Sequence, residues 1–139
     1  MRIGALARAA GTTARTVRYY EEIGLLPSSG ERVAGEHREY DEADVARLQE
    51  LLRLKGLLGL SLDELRDVMA GEEARVQRRR DWQETSDPEE RQRLLGEGLA
   101  HTDSLLELVR RRAAELETFE AELRERRQRQ AHLLRESVV

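Results

Sequence analysis

The chain has 139 residues, 37% of which are charged, and a formal net charge of −4 at pH 7. It contains no cysteine, which excludes disulfides, thiolate metal sites and iron–sulfur clusters. No apolar run is long enough to span a bilayer and no secretory signal follows Met1, so the composition predicts a soluble, cytoplasmic protein without a membrane partner.

Two short helices are predicted at the start of the chain. Residues 3–10 are apolar enough for a small helix, and Gly11 can take the left-handed conformation that ends it. Thr12 or Thr13 can cap a second helix by accepting a hydrogen bond from an unpaired backbone N–H, and Gly24 stops that helix. This order is the layout of a helix-turn-helix, in which the second helix reads DNA.

The second predicted helix has an apolar face and a basic face. At about 100° per residue, Val17 and Tyr20 point towards the first helix. Arg15, Arg18 and Tyr19 point the other way, where such side chains can contact phosphates and bases. The alternative interpretation is a solvated face that binds nothing.

Turn and cap signals continue along the chain. Small residues at 28–30 and 34–35 predict a short two-stranded wing that runs back through residues 36–40. Asp41 then begins one helix, with Asp44 three residues on, and Ser61 begins another with a capping box.

This ordered series of elements resembles the MerR family of winged helix-turn-helix transcription regulators. One departure is His37, which stands where the family usually has a tyrosine before the wing arginine. The matching positions are residues 3–7, 16–21, 24–26, Gly35, Arg38, Tyr40, 44–45, 47–48 and 59–65.

The resemblance and the helix faces together predict the contacts with double-stranded promoter DNA. The helical wheel places Tyr20 mainly in the core, although the family uses both adjacent tyrosines near DNA. The expected DNA-binding residues are Thr13, Arg15, Thr16, Arg18, Tyr19 and Tyr20 from the helix, and Arg32, His37, Arg38 and Tyr40 from the wing.

The charge distribution is uneven. Residues 1–20 hold four arginines and no acidic residue, whereas residues 61–139 hold 15 basic and 19 acidic side chains. Because only a local face is basic, we expect one protomer to bind DNA weakly and two to be needed.

A long helix is predicted from Asp87 and Pro88, a strong helix start. The 42 residues from Pro88 to about Arg129 would extend about 63 Å. Thr102 and Glu120 fall on an otherwise apolar seam with coiled-coil spacing. The resemblance implies an antiparallel homodimer through this helix, and the alternative is a helix folded back on its own chain. The seam comprises Leu95, Leu99, Leu106, Val109, Ala113, Leu116 and Leu123, widened by Leu105 and Phe119.

The segment from Gly71 to Ser86 is predicted to contain one more helix. Trp82 either packs as plain core against the long helix or lines, with His101 and Phe119, a pocket for a small-molecule effector. The basic run at 78–80 is interpreted as a solvated face, with a second phosphate-contacting patch as the alternative.

These observations predict a mainly α protein with three parts: a winged helix-turn-helix domain (1–70), a connecting helical segment (71–87) and a long dimerisation helix with a tail (88–139). No enzyme is expected, because His37, His101 and His132 lie far apart and no nucleophile or phosphate-loop motif is present. No cofactor or metal is predicted.

The resemblance further implies a homodimer on a near-palindromic site that bends and untwists the promoter spacer, so that RNA polymerase can engage it. The alternative functions are an effector-free architectural DNA protein and, as a third class, an enzyme.

Overall fold

The computed structural model describes residues 1–27 and 39–138. Within these ranges the chain is helical and forms no strand, which confirms the predicted mainly α class. The predicted wing falls largely on residues outside these ranges. The helices are α1 (Ile3–Ala10), α2 (Ala14–Glu22), α3 (Glu42–Leu58), α4 (Leu62–Glu84) and α5 (Pro88–Ser137).

The chain divides into two compact units, Met1–Leu95 and Gly96–Val139. In the first unit, α1 packs against α2 and α3, and α3 packs against α4. Each fully buried aliphatic side chain in this core contributes about 1.5–3 kcal/mol relative to an exposed one. The largest fully buried side chains are Tyr20, Leu6, Leu48, Leu51, Leu65 and Val17.

Capping boxes begin both α3 and α4, as the sequence predicts. The Asp41 carboxylate accepts a hydrogen bond from the Asp44 amide at 3.0 Å, and the Asp44 carboxylate accepts one from the Asp41 amide at 2.9 Å. The Asp44 amide holds the pKa of Asp41 below its usual value. Ser61 and Glu64 form the same reciprocal pair at 3.2 and 3.1 Å.

Glycines in the left-handed conformation follow both short helices. Gly11 has φ +80°, and the next amide, from Thr12, donates to the Ala7 carbonyl at 2.8 Å. Gly24 also has φ +80°, and the Leu25 amide donates to the Tyr20 carbonyl at 2.9 Å. This wider hydrogen bond past a left-handed residue is the Schellman motif, which fixes where the chain leaves each helix.

Replacement of Gly24 by alanine is expected to destabilise the first unit by about 1–2 kcal/mol, because a Cβ disfavours the left-handed conformation. Gly56→Ala is the matched control: Gly56 lies inside α3, where an added Cβ meets nothing within 4 Å. That change should stabilise by about 1 kcal/mol. Urea unfolding followed by circular dichroism, at one fixed protein concentration, measures both, and equal effects of the two changes would contradict the assignment.

The connection between α4 and α5 differs from the prediction. α4 runs unbroken from Leu62 to Glu84, so no separate helix begins after Gly71. The turn that follows is closed by Arg91, whose guanidinium donates to the Thr85 carbonyl at 3.0 Å and lies 4.6 Å from the Trp82 ring centre. Trp82 therefore packs against the first turns of α5.

α5 begins at Pro88, as predicted, but continues past Arg129 to Ser137. Its 50 residues extend about 75 Å. In the described part of the second unit, ion pairs between residues four apart, such as Glu125 with Arg129 at 3.0 Å, stabilise the helix modestly. None of the helices in the described ranges is both long and apolar enough to cross a bilayer.

The seam of the second unit is exposed. Relative exposure ranges from 36% at Leu123 to 64% at Leu99. Leu116 and Phe119 are 51% and 54% exposed. An apolar stripe of this kind on one helix is energetically unfavourable in water.

Candidate nucleic-acid interface

α2 presents the basic face that the sequence predicts. Val17 and Tyr20 are 0% and 1% exposed and pack in the core. Arg15, Arg18 and Tyr19 are exposed on the opposite side, Tyr19 at 45%. The helix thus separates a packing face from a face free to meet a ligand.

Thr13 begins α2 with an extended backbone (φ −112°, ψ 155°). Its Oγ1 accepts from the Thr16 amide at 3.2 Å and its hydroxyl donates to Thr16 Oγ1 at 3.0 Å. The Thr16 hydroxyl, already accepting, can still donate its own hydrogen. It lies in the first turn of a helix, where backbone N–H groups and the helix dipole favour an anion such as phosphate.

Thr13→Ala is expected to cost about 1 kcal/mol of stability, because the Thr16 amide loses its acceptor. Thr12→Ala is the control, since Thr12 precedes the cap and the structure assigns the cap to Thr13. Thermal unfolding of both variants measures the difference. Similar losses would mean that the cap does not hold α2 in place.

Residues of α3 and α4 donate hydrogen bonds to the C-terminal end of α2. Lys55 Nζ donates to the Tyr20 hydroxyl at 2.8 Å. Lys55 Nζ lies 5.4 Å from the centre of the Tyr20 ring. This distance fits an ammonium group beyond the hydroxyl better than one above the face of the ring. Arg66 donates to the Ile23 carbonyl at 2.7 Å, just past the last turn of α2. These contacts hold the end of the helix that carries the exposed arginines.

Tyr40 also lies behind α2. It is 6% exposed, and its hydroxyl donates to a Glu21 carboxylate oxygen at 2.9 Å. The Met1 ammonium donates to the Glu39 carboxylate at 3.0 Å and to the Tyr40 carbonyl at 2.8 Å. That ammonium lowers the pKa of Glu39. Tyr40 thus anchors the chain just before α3 begins.

The other predicted wing contacts, Arg32, His37 and Arg38, lie outside the described residues. The hypothetical effector residues are divided between the units: Trp82 belongs to the first, His101 and Phe119 to the second. The effector pocket stays a prediction. In the described ranges no group of three or more His, Asp or Glu side chains is placed to hold a metal ion.

Two positioning residues, Lys55 and Arg66, were not predicted from the sequence. Each contacts α2 across 35 and 43 residues of chain, respectively. Nothing in the local pattern distinguishes them from surface cations. The only available signal was the need to satisfy the polar groups at the end of α2.

The chain is similar to known regulators. Residues 1–72 match the family described as MerR HTH family regulatory protein. The HTH-type transcriptional regulator YfmP of Bacillus subtilis is 32% identical over 123 residues, which are 88% of this chain and 87% of that protein. The nodulation protein NolA of Bradyrhizobium elkanii is 49% identical over 70 residues, covering 50% of this chain and 31% of NolA.

Among solved structures, the chain is similar to the transcription regulator PbrR691 from Ralstonia metallidurans in complex with lead(II). The identity is 34% and the TM-score 0.48, over 92% of this chain and 86% of that one. The chain spans most of the length of YfmP but only about a third of the length of NolA. Because the family match covers more than half of the sequence and YfmP aligns along most of it, the chain belongs to the MerR family of helix-turn-helix transcriptional regulators.

Proposed function

We propose that this MerR-family regulator acts as a homodimer on a near-palindromic promoter site and distorts the spacer DNA in response to a small-molecule effector. The supporting observation is the exposed set Arg15, Arg18 and Tyr19 on a helix fixed from behind by Lys55 and Arg66. A helix supported in this way can enter the major groove with its exposed face towards the bases.

Direct contacts are proposed for both ends of the exposed face of α2. Thr13 and Thr16 meet phosphate at the helix N-terminus, where the dipole is positive. Arg15, Arg18 and Tyr19 meet base edges and the adjacent backbone. Arg32, His37 and Arg38 contact the flanking backbone from the wing. Tyr20 and Tyr40, both buried, act by holding α2 and the wing in place.

Two copies are proposed because one copy has little positive charge with which to bind DNA phosphates. The net charge is −4, and residues 1–20 hold four arginines and no acidic residue, so we expect phosphate attraction mainly at the face around α1 and α2. The exposed seam of α5 gives the second reason, since pairing would remove its apolar side chains from water. A two-fold dimer would present two α2 helices to successive major grooves, about 34–36 Å apart.

Family membership supports the remaining steps. The dimer would act in the cytoplasm, occupy a promoter beside RNA polymerase and bend and untwist its DNA, so that sequence-dependent deformability adds to specificity. The effector would shift the equilibrium between two DNA geometries, which requires different affinities for the two states.

Footprinting combined with in vitro transcription tests this function. The probe is promoter DNA from next to the gene for this chain, with and without a panel of metal ions and small organic molecules. We expect a protected inverted repeat, enhanced cleavage at its centre from distortion, and a change in transcript level with one class of ligand. A protected promoter whose output never changes would instead favour an architectural DNA-binding protein.

A further inference from the structure

Eight seam positions follow one another along α5 at alternating spacings of three and four residues. All eight are exposed in the described part of the second unit. Two of them are polar, and polar side chains at a seam reduce stability but specify how helices pair. The eight positions are Leu99, Thr102, Leu106, Val109, Ala113, Leu116, Glu120 and Leu123.

These eight positions are symmetric about residue 111. Each has a counterpart among the eight at the same distance on the other side of residue 111. A two-fold axis at that residue would bring each position opposite its counterpart in a second copy. The resulting layers are Leu99 with Leu123, Thr102 with Glu120, Leu106 with Leu116, and Val109 with Ala113, each occurring twice.

For the antiparallel homodimer that the family resemblance implies, we propose that the two-fold axis passes residue 111 and that the layer of Thr102 with Glu120 of the partner subunit fixes the register. The inference rests on the homodimer of the proposed function and specifies its interface. An isologous two-fold contact needs a self-complementary surface, and this seam is one: large side chains meet large ones, and Val109 meets the small Ala113.

The chemistry of the polar layer favours this arrangement. Glu120 is paired on its own helix with Arg124 at 2.5 Å. Thr102 adds a hydroxyl that can donate to the carboxylate across the seam, and hydrogen bonds to charged groups are the stronger ones. Both polar side chains are therefore satisfied in one layer.

Other pairings place Glu120 opposite less favourable residues of the partner subunit. A parallel in-register dimer sets Glu120 against Glu120 of the partner subunit, and like charges repel. An antiparallel pair displaced by one heptad sets it against the partner's Val109 or the partner's Leu95. A carboxylate buried against an apolar side chain is costly. These penalties select one direction and one register.

Disulfide trapping tests the register, since an introduced cysteine is the only thiol of the chain. Leu106→Cys and Leu116→Cys proteins are oxidised separately and as an equal mixture after subunit exchange. We expect covalent dimers only in the mixture. Each variant alone places its two thiols about 15 Å apart along the axis, beyond disulfide reach. Leu99→Cys with Leu123→Cys repeats the test at the ends of the seam.

The other possible outcomes test the direction of pairing, the register and the dimer separately. Crosslinking of Leu106→Cys alone would overturn the antiparallel arrangement. Absence of crosslinks in a protein that sediments as a dimer would overturn the register alone. If the unmodified chain sediments as a monomer at micromolar concentration, the proposed homodimer itself fails, and the register with it.

A charge reversal provides a second readout. Thr102→Glu adds a carboxylate opposite the partner's Glu120 and should raise the dimer dissociation constant tenfold or more. Thr102→Lys adds an ammonium there and should leave that constant unchanged or lower it. A parallel dimer would place position 102 opposite itself, so both changes would weaken it equally. Equal weakening would therefore contradict the proposal.

Discussion

Leu116→Glu is expected to convert the proposed dimer into monomers and to abolish its tight binding to the operator. Leu116 is 51% exposed on α5 and would be covered by the partner's Leu106. An unpaired carboxylate buried at that position costs about 3–5 kcal/mol, and the proposed two-fold axis would place it in the interface twice. Sedimentation velocity and a DNA mobility shift, both at micromolar protein, measure the two losses.

Thr118→Glu is the matched control. It adds the same charge two residues away, at an exposed position on the side of α5 opposite the seam. Its dimerisation and DNA binding should stay near those of the unmodified chain. If Leu116→Glu remains dimeric while keeping its helix content, the seam is not the interface.

Arg18→Ala is expected to weaken operator binding by about 1–3 kcal/mol. Arg18 is exposed on α2 and is proposed to meet DNA in both halves of the dimer. If it neutralises phosphate, the slope of log affinity against log salt should fall by about 1.8, or 0.9 for each of two contacts. Fluorescence anisotropy titrations at several salt concentrations give both quantities.

Arg129→Ala separates this contact from general charge loss. Arg129 pairs with Glu125 on the exposed surface of α5, and such pairs contribute little to stability. The change removes one positive charge per protomer, as Arg18→Ala does, but away from α2. An equal effect of the two substitutions would show that Arg18 acts only through net charge.

Local chemistry made most helix starts predictable. The caps at Asp41 and Ser61 have partners three residues away, so the spacing identifies them. For α2 the sequence left Thr12 and Thr13 as alternatives, and the structure shows Thr13 as the cap. The division of α2 into a buried and an exposed face could also be predicted from the sequence, because it depends only on helical periodicity.

The helix lengths were harder to predict. Gly71 is a poor helix former, by about 1 kcal/mol relative to alanine, yet α4 continues through it among favourable neighbours. Likewise no proline or glycine follows Arg129, and α5 continues to Ser137. A weak local preference does not decide where a helix ends when its neighbours favour continuation.

Long-range contacts could not be predicted from spacing. The bonds from Lys55 to Tyr20 and from Arg66 to Ile23 join positions that only the folded chain brings together. The same holds for Tyr40, whose hydroxyl turns towards Glu21. The residues that position the candidate interface therefore became visible only in three dimensions.

α4 connects the end of α2 with the start of α5 as one unbroken helix. Arg66 in its first turns donates a hydrogen bond at the end of α2, and Trp82 in its last turns lies beside the start of α5. Over its 23 residues it measures about 34 Å, and a rod without a break transmits a tilt from one end to the other. If the proposed effector binds at the Trp82 end, a small tilt of α4 would be enough to turn the arginines of α2 without a relay of side chains.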